Sequence, residues 1–369
     1  MVIDMNGRGA PGIRGRLGEL CYASGLLHSL QRVRSWIHRD LRILAYHRVM
    51  PVPDPETYEF DMELISTPPD EFREQMMRLK KYFRPMRLTD VVAALDAGEA
   101  LPPDTVAVTF DDGYDDNYRV AAPILADVGV PATFFVSTGH IDTGTPYSYD
   151  WLVHMILMTK APRLVLPELG IDVPLPAERT LRRRIAGNVL LRMKWLDAHG
   201  QSAMTERLEH EWDMPSLGAR PVDCRPMTWD QVREMEAAGL EFGSHGVHHR
   251  MLARLPIEEM EAEILESKRT LDRELRNPAV LMSYPVGGDR AYNEAVIAAT
   301  RKAGFQLACS YICGTNPEPS ENRYSLYRLP VEANMGPGWF AAMLALPQLM
   351  SYPTAAHETQ GPQEQACSS

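Results

Sequence analysis

Two short runs of polar residues stand out because each follows a stretch of strand character. The first is Val106-Ala-Val-Thr-Phe-Asp-Asp-Gly-Tyr, in which an apolar, β-prone run ends in the adjacent carboxylates Asp111 and Asp112. Successive residues of a strand point to opposite faces, so two neighbouring carboxylates at its end can take different tasks. Gly113 then lets the chain turn sharply. Taken alone, the run also reads as an Asp cap and a turn. An aspartyl-phosphate site does not fit, because its aspartates are separated by one residue and these two are adjacent.

The second run is Glu241-Phe-Gly-Ser-His-Gly-Val-His-His. His245 and His249 are four apart, a spacing that can turn both imidazoles toward one ion, with His248 directed elsewhere. Three of the 11 histidines fall in this short run, which disfavours a chance cluster. Two neutral imidazoles and the Asp112 carboxylate make a facial ligand set that leaves coordination positions open. A divalent metal lowers the pKa of bound water to about 7 and polarises a carbonyl oxygen. Asp111, beside that set, is then available as a base. This is equipment for hydrolysing an amide or an ester.

Such residues need strand ends to carry them. Strand candidates are Arg42–Tyr46, Val106–Phe110, Thr133–Val136, Leu240–Gly243, Val280–Tyr284, Gln306–Cys309 and Tyr327–Val331. Several are almost wholly apolar or β-branched, as expected where both faces are covered. Helical patterns alternate with them. One helix starts at Thr228, with Gln231 as capping-box partner. Another starts at Pro256 and aligns Ile257, Met260, Ile264, Leu271 and Leu275 on one face. A third covers about Asn293–Ala303 and ends at Gly304. The alternation implies a mostly parallel α/β architecture, and seven strands suggest a barrel rather than an open sheet. In such folds the C-terminal strand ends line the active-site face. From about Tyr147 to Arg225 the rhythm breaks, with several prolines followed by a basic, helical stretch over Glu178–His199. This reads as an insertion, either a solvated cap or one wall of a substrate groove.

The Thr-Phe-Asp-Asp-Gly and Ser-His-x-x-x-His runs, in this order, resemble the two diagnostic motifs of the NodB-homology polysaccharide deacetylases, carbohydrate esterase family four. The resemblance spans roughly Leu41 to Leu349. It implies an α/β fold, a deformed (β/α)7 barrel with a mixed insertion. It also implies removal of N-acetyl groups from N-acetylglucosamine-type units of a polysaccharide or oligosaccharide, with one divalent metal, zinc foremost. Carried over, Asp111 is the general base and Asp112, His245 and His249 are the metal ligands, with a backbone N–H near Tyr114 beside the oxyanion. Ser283-Tyr-Pro-Val-Gly resembles the third motif, but the family's Arg ahead of that Pro is replaced by Ser283 and Tyr284. The group that orients Asp111 is thereby left open, with Arg328 on another strand as a candidate. The family's late acid histidine is not visible after Val331, where the only histidine is His357. Leu44-Ala-Tyr-His-Arg-Val instead resembles the N-terminal Tyr-His motif of the circularly permuted branch, which includes poly-N-acetylglucosamine deacetylases. That implies His47 as general acid for the leaving amine; on its own it also reads as a supporting histidine. Tyr114 and Tyr118 read equally as sugar platforms or as packing.

The bulk properties fit this reading. The chain has 369 residues, 45% hydrophobic, with a formal net charge of −11. That argues against a nucleic-acid binder, which needs a basic face. Five cysteines without a C-x-x-C pair argue against a disulfide framework and favour a reducing compartment. No apolar run reaches the roughly 18 residues of a membrane span, and no secretory signal is evident. The expected location is cytoplasmic, with membrane association as an option. The expected units are an N-terminal segment (1–40), partly disordered with an amphipathic helix; the deacetylase domain (41–350) with its insertion (147–225); and a disordered tail (351–369). The N-terminal helix either packs on the domain or makes peripheral membrane contact. Two further readings stay beside the main one: a deacetylase or deformylase of a lipid-linked sugar or small amide, and a non-catalytic carbohydrate-binding protein.

Overall fold

The computed structural model describes residues 13–37, 39–193, 196, 198–215, 222–288 and 290–351. The tail expected to be disordered lies outside them from residue 352 onward, as do the first 12 residues. Twelve strands occur among the described residues. They are β1 (Arg42–Tyr46), β2 (Arg48–Val49), β3 (Ile65–Thr67), β4 (Arg84–Pro85), β5 (Thr105–Phe110), β6 (Thr133–Val136), β7 (Arg163–Leu166), β8 (Ile171–Pro174), β9 (Glu241–Ser244), β10 (Leu281–Ser283), β11 (Leu307–Cys313) and β12 (Leu326–Pro330).

Seven of them close a ring. The order β1-β12-β11-β10-β9-β6-β5 returns to β1 through the register Arg42↔Val106 to Tyr46↔Phe110. Every pairing in the ring is parallel. The short β4 adds to the start of β5 outside it. These seven are the seven strand candidates of the sequence, so the fold is the closed (β/α)7 barrel expected of the NodB type.

Strand alternation explains which side chains reach the mouth. Val106, Val108 and Phe110 join Leu44, Tyr46 and Phe134 in the core shared with the outer helices. Ala107, Ile43, Phe135, Leu281, Leu307, Cys309 and Leu326 form a separate core, inside the barrel. The inward parity of each strand runs on past that core to Asp111, His47, His245, Ser283, Tyr311 and Arg328. The helix Leu88–Asp96 closes the opposite end: Leu88 and Val91 join the inner core, and the Leu88 N–H donates to Glu241 at the start of β9 (2.9 Å).

The expected helices are present. Trp229–Ala237 has Thr228 in a reciprocal capping box with Gln231. Pro256 precedes Ile257–Glu274, and Asn293 caps Glu294–Lys302. On the second of these Met260, Ile264 and Leu271 are buried, whereas Ile257 is exposed. The basic stretch expected over Glu178–His199 holds the helix Arg179–Met193, and a second helix, Ala198–Glu211, starts at its end. The Gln201 amide donates to the carbonyls of Met193 and Leu196 and so ends the first.

The insertion opens with the helix Ser148–Met158 and continues through the β7–β8 hairpin. It builds its own core around Trp151, Leu152, Ile156 and Val189, and takes Tyr58, Phe60 and Ile65 from the segment after β2. Arg182 and Arg183 are spent on carbonyls, whereas Arg163 pairs with Asp172 and Arg207 with Glu168 and Glu211. Arg182 donates to Ile156, Thr159 and Pro176 (3.0, 2.7 and 2.6 Å), which caps the Ser148–Met158 helix. Arg183 donates to Pro55 and Phe60 (3.1 and 2.7 Å) and to Tyr58. Arg182 thereby braces the insertion internally, and Arg183 ties it to the segment after β2.

At the N-terminus, helices Ile13–Ala23 and Leu26–Ile37 lie on the body of the protein. Leu27, Gln31 and Arg34 are buried, and Glu19 accepts the Gly338 N–H (2.8 Å) at the start of the helix Pro337–Ala345. Leu17, Leu20 and Val33 remain exposed. No described helix is long and apolar enough to cross a membrane.

Candidate metal centre and active site

Asp111, at the end of β5, enters the barrel mouth with inward parity and is 2% exposed. Arg328, fully buried on β12, meets it as a fork: Nη1 donates to Oδ1 at 2.8 Å and Nη2 to Oδ2 at 2.6 Å. The guanidinium is fixed in turn. Its Nε donates to the Ser310 carbonyl (2.7 Å) and its nitrogens to Ser283 Oγ (2.9 Å) and Thr109 Oγ1 (3.2 Å). Burial alone would raise the Asp111 pKa; the Arg328 charge, and after it His245, hold the carboxyl well below the usual range. Arg328 thus occupies the role that the sequence left open, and Ser283 serves as its support.

Asp112 lies next along the chain, and strand parity alone would turn it outward. Its φ of +72° bends it back into the mouth, and His249 has φ +54°. Non-glycine residues rarely adopt this region, and such strain is retained where a site requires it. Gly113 follows with φ +78°; a Cβ there would lie 2.7 Å from Val136 Cγ1. Glycine is therefore needed both for the turn and for the close approach.

The three expected ligands converge. One donor atom each from Asp112, His245 and His249 lie within 4.8 Å of one another. Asp112 Oδ1 is 3.6 Å from His245 Nε2 and 3.4 Å from His249 Nε2. Asp112 Oδ1 is buried with no hydrogen-bond partner, a costly state for a carboxylate oxygen. His245 is fixed by its Nδ1, which donates to the Ser283 carbonyl at 2.8 Å, leaving the Nε2 lone pair toward Asp112. Burial pushes the pKa of His245 down to about 4 and that of His249 to about 3, so both imidazoles are neutral at ordinary pH, the form that can bind a metal. An orphaned carboxylate oxygen facing two neutral imidazoles fits a divalent cation.

The histidine loop is held from outside the mouth. Glu263, buried on the helix Ile257–Glu274, accepts the N–H groups of Val247 and His248, both at 2.9 Å. His248 turns away, as expected, and its Nδ1 lies 2.6 Å from Glu263 Oε1. That partnership lowers the Glu263 pKa against the effect of burial. The carbonyls of Gly246 and Val247 accept the first N–H groups of the helix Thr138–Thr143 (3.1 and 2.9 Å).

His47 follows β1 at the same rim. It is half-buried, its ring meets that of Tyr311 edge-on at 5.5 Å, and it lies within electrostatic reach of Asp111 and His249. Its backbone is pinned on both sides: its N–H donates to Ser66 Oγ and its carbonyl accepts from Asn117 (both 2.8 Å). Tyr114 is fully buried beneath the Arg48 guanidinium, 4.5 Å from its ring centre, and so packs. Tyr118 donates to Glu234 at 2.5 Å on the outer surface. Two tyrosines not singled out in the sequence reach the centre from the mouth of the insertion. Tyr147 donates to the Asp112 carbonyl, and Tyr149 donates to Asp112 Oδ2 at 2.7 Å. The only signal was their position, Tyr-Ser-Tyr-Asp at the point where the barrel rhythm breaks.

The polysaccharide deacetylase family model matches residues 98–308, more than half of the chain. The chain belongs to the polysaccharide deacetylase family. The match contains Asp111, Asp112, His245 and His249, whereas His47 and Arg328 lie outside it. YxkH of Bacillus subtilis (strain 168), assigned to the polysaccharide deacetylases by name, is 29% identical over 247 residues, 65% of this chain and 56% of that protein. The poly-β-1,6-N-acetyl-D-glucosamine N-deacetylase of Escherichia coli (strain K12) is 28% identical over 116 residues, 31% of this chain and 16% of that protein. The chain thus spans about half the length of the first of these relatives and less of the second. Two solved structures share the fold of this chain. Streptococcus pyogenes deacetylase PplD, in complex with acetate, has 21% identity and a TM-score of 0.55, covering 85% of this chain and all of that one. IcaB from Ammonifex degensii has 18% identity and a TM-score of 0.51, covering 84% and 97%.

Proposed function

We propose that this deacetylase is a metal-dependent hydrolase that removes N-acetyl groups from a polysaccharide or oligosaccharide of N-acetylglucosamine type, releasing acetate. The observation that carries the proposal is Asp112 Oδ1, buried and unpaired against the Nε2 atoms of His245 and His249. Two imidazoles and a carboxylate with open positions suit zinc. When bound, the ion would acidify water and polarise the acetyl carbonyl. The name of the Escherichia coli relative supports the substrate class.

The chain's own residues divide the remaining work. Asp111 accepts the proton of the attacking water. Because Arg328 keeps this carboxylate ionised and weakly basic, its competence depends on acidification of that water. The fork also fixes the direction in which Asp111 offers its lone pairs. His47 donates a proton to the departing sugar nitrogen, which would otherwise leave as a strongly basic anion. Asp111 and His47 follow the paired residues Phe110 and Tyr46 of the neighbouring strands β5 and β1, so the group that takes the proton and the group that delivers it stand side by side at the mouth.

The test is acetate release from a panel of N-acetylated glycans, with and without chelator and added zinc. The expected result is release from an N-acetylglucosamine polymer that chelator abolishes and zinc restores. Chelator-insensitive release, or none from any glycan by metal-loaded protein, overturns the proposal.

A second reading, a lipid-linked N-acetyl sugar handled at a membrane surface, is favoured by one observation. The N-terminal helix pair keeps Leu17, Leu20 and Val33 exposed next to exposed Arg16 and Arg32. Binding of anionic vesicles by the full chain, but not by a chain lacking residues 1–40, supports it. Equal behaviour of the two chains removes it.

A further inference from the structure

The helix that opens the insertion does more than start a cap. Its N-terminal residues Tyr149 and Asp150 are adjacent in sequence and serve two sides of one buried network. Tyr149 faces the metal-ligand set, where its hydroxyl donates to Asp112 Oδ2 at 2.7 Å. Its ring lies 5.3 Å from that of Tyr147 and 5.2 Å from that of His249. Asp150 faces the other way. It is fully buried, accepts the Asp61 N–H at 2.8 Å, and lies 3.4 Å from the Tyr114 hydroxyl and 3.9 Å from Arg48 Nη1. Tyr114 spans the gap, since its hydroxyl also interacts with that of Tyr149.

The consequence for Asp112 is geometric. A carboxylate next to a cation can offer one oxygen or both. Here Oδ2 has a phenol donor, the backbone carbonyl of the same residue has the Tyr147 hydroxyl, and Oδ1 alone has nothing. The side chain is therefore locked about its terminal torsion, with one oxygen reserved. Groups that hydrogen-bond a metal ligand from behind set its orientation, and their loss commonly lowers metal affinity by about 10- to 100-fold.

We infer that Tyr149 is a positioning residue of the metal centre, holding Asp112 as a one-oxygen ligand, so that the insertion is a structural part of that centre. The inference rests on the reading of Asp112, His245 and His249 as metal ligands. It also gives the insertion a purpose beyond lining a groove. Tyr149 and Asp150 make opposite contacts from a single helical turn, so the insertion must be seated on Arg48 and Asp61 for the phenol to reach Asp112.

The test is metal binding by chelator-stripped protein, read by competition with a zinc indicator and by the visible absorption of the cobalt form. Tyr149→Phe keeps the ring that packs on Tyr147 and His249 and removes only the donor. Tyr114→Phe, compared alongside, removes a hydroxyl from the same packing but leaves the donor to Asp112. The expected result is zinc affinity about 10- to 100-fold weaker in Tyr149→Phe. Its cobalt spectrum should also change, as Asp112 becomes free to offer both oxygens. Tyr114→Phe should stay within about threefold of wild type with an unchanged spectrum, roughly 0.7 kcal/mol at most. Wild-type affinity and spectrum in Tyr149→Phe overturn the inference. So do equal losses in both variants, which would mark packing rather than positioning. If wild-type protein binds neither metal, the ligand assignment itself fails, and that outcome is distinct from either of these.

Discussion

Two groups of buried aspartates lie close together and are treated in opposite ways. At the barrel mouth, Asp111 has a dedicated partner: both its oxygens accept from the Arg328 fork, and its pKa is driven well down. Beneath the insertion, Arg48 is shared. It donates to Asp116 at 2.8 Å and stands 3.9 Å from Asp150, while half-buried Asp61 accepts the Glu63 N–H at 2.9 Å without a cation in contact. Burial then prevails, and the pKa values rise to about 6 for Asp150 and about 7 for Asp61. Burial is common to both groups; what differs is whether a guanidinium is spent on one carboxylate. The mouth needs a carboxylate that is ionised at every working pH. The base of the insertion needs only hydrogen-bonded packing.

The comparison breaks most severely at Arg328. Arg328→Met would leave Asp111 buried without its counter-charge. A loss of about 3–5 kcal/mol of unfolding free energy is expected, with acetate release abolished. Chemical denaturation measures the first and the acetate assay the second; a variant as stable as wild type would show that the fork does not hold the mouth together. Next comes Asp111→Asn, which keeps the shape and removes the base. Turnover should fall by about 10²- to 10⁴-fold while zinc affinity stays near wild type, because Asp111 is not a ligand. Near-wild-type turnover would remove Asp111 from the chemistry.

A smaller effect is expected at the histidine loop. Glu263→Gln weakens the seat of Val247 and His248 without touching the ligands themselves, and zinc affinity should drop by about 10-fold. Unchanged affinity would mean that the loop is held by its other contacts alone. The smallest effect is at Asp61. Its raised pKa means that the folded chain holds the proton more tightly than the unfolded chain does. Stability is therefore greatest below the ordinary value of 3.8 and declines as the pH climbs toward about 7. Asp61→Asn should melt with wild type near about pH 4 and above it near about pH 8. A wild-type melting temperature at both values would mean that the raised pKa has no weight in stability.

What the sequence revealed follows the same division. The seven barrel strands and the Asp112, His245 and His249 set were legible because each is encoded locally, as an apolar run ending in polar residues. The inward parity that carries Asp111 and His245 to one mouth follows from alternation alone. Arg328 could be named only as a candidate, since it lies 217 residues from Asp111 and its approach depends on ring closure. The bend at Asp112 was not legible, because φ +72° at an aspartate has no sequence signal beyond the glycine after it. Tyr147 and Tyr149 were missed for another reason: they belong to an insertion whose path over the mouth is set by its own core and by the carbonyls that Arg182 and Arg183 bind.

The central claim is that one divalent metal is held by two imidazoles and a single carboxylate. X-ray absorption spectroscopy of the zinc-loaded chain tests it most directly. The account predicts a shell of nitrogen and oxygen with the scattering pattern of two histidines, reduced to one in His249→Ala. A sulfur shell, or a wild-type pattern retained in His249→Ala, would contradict it.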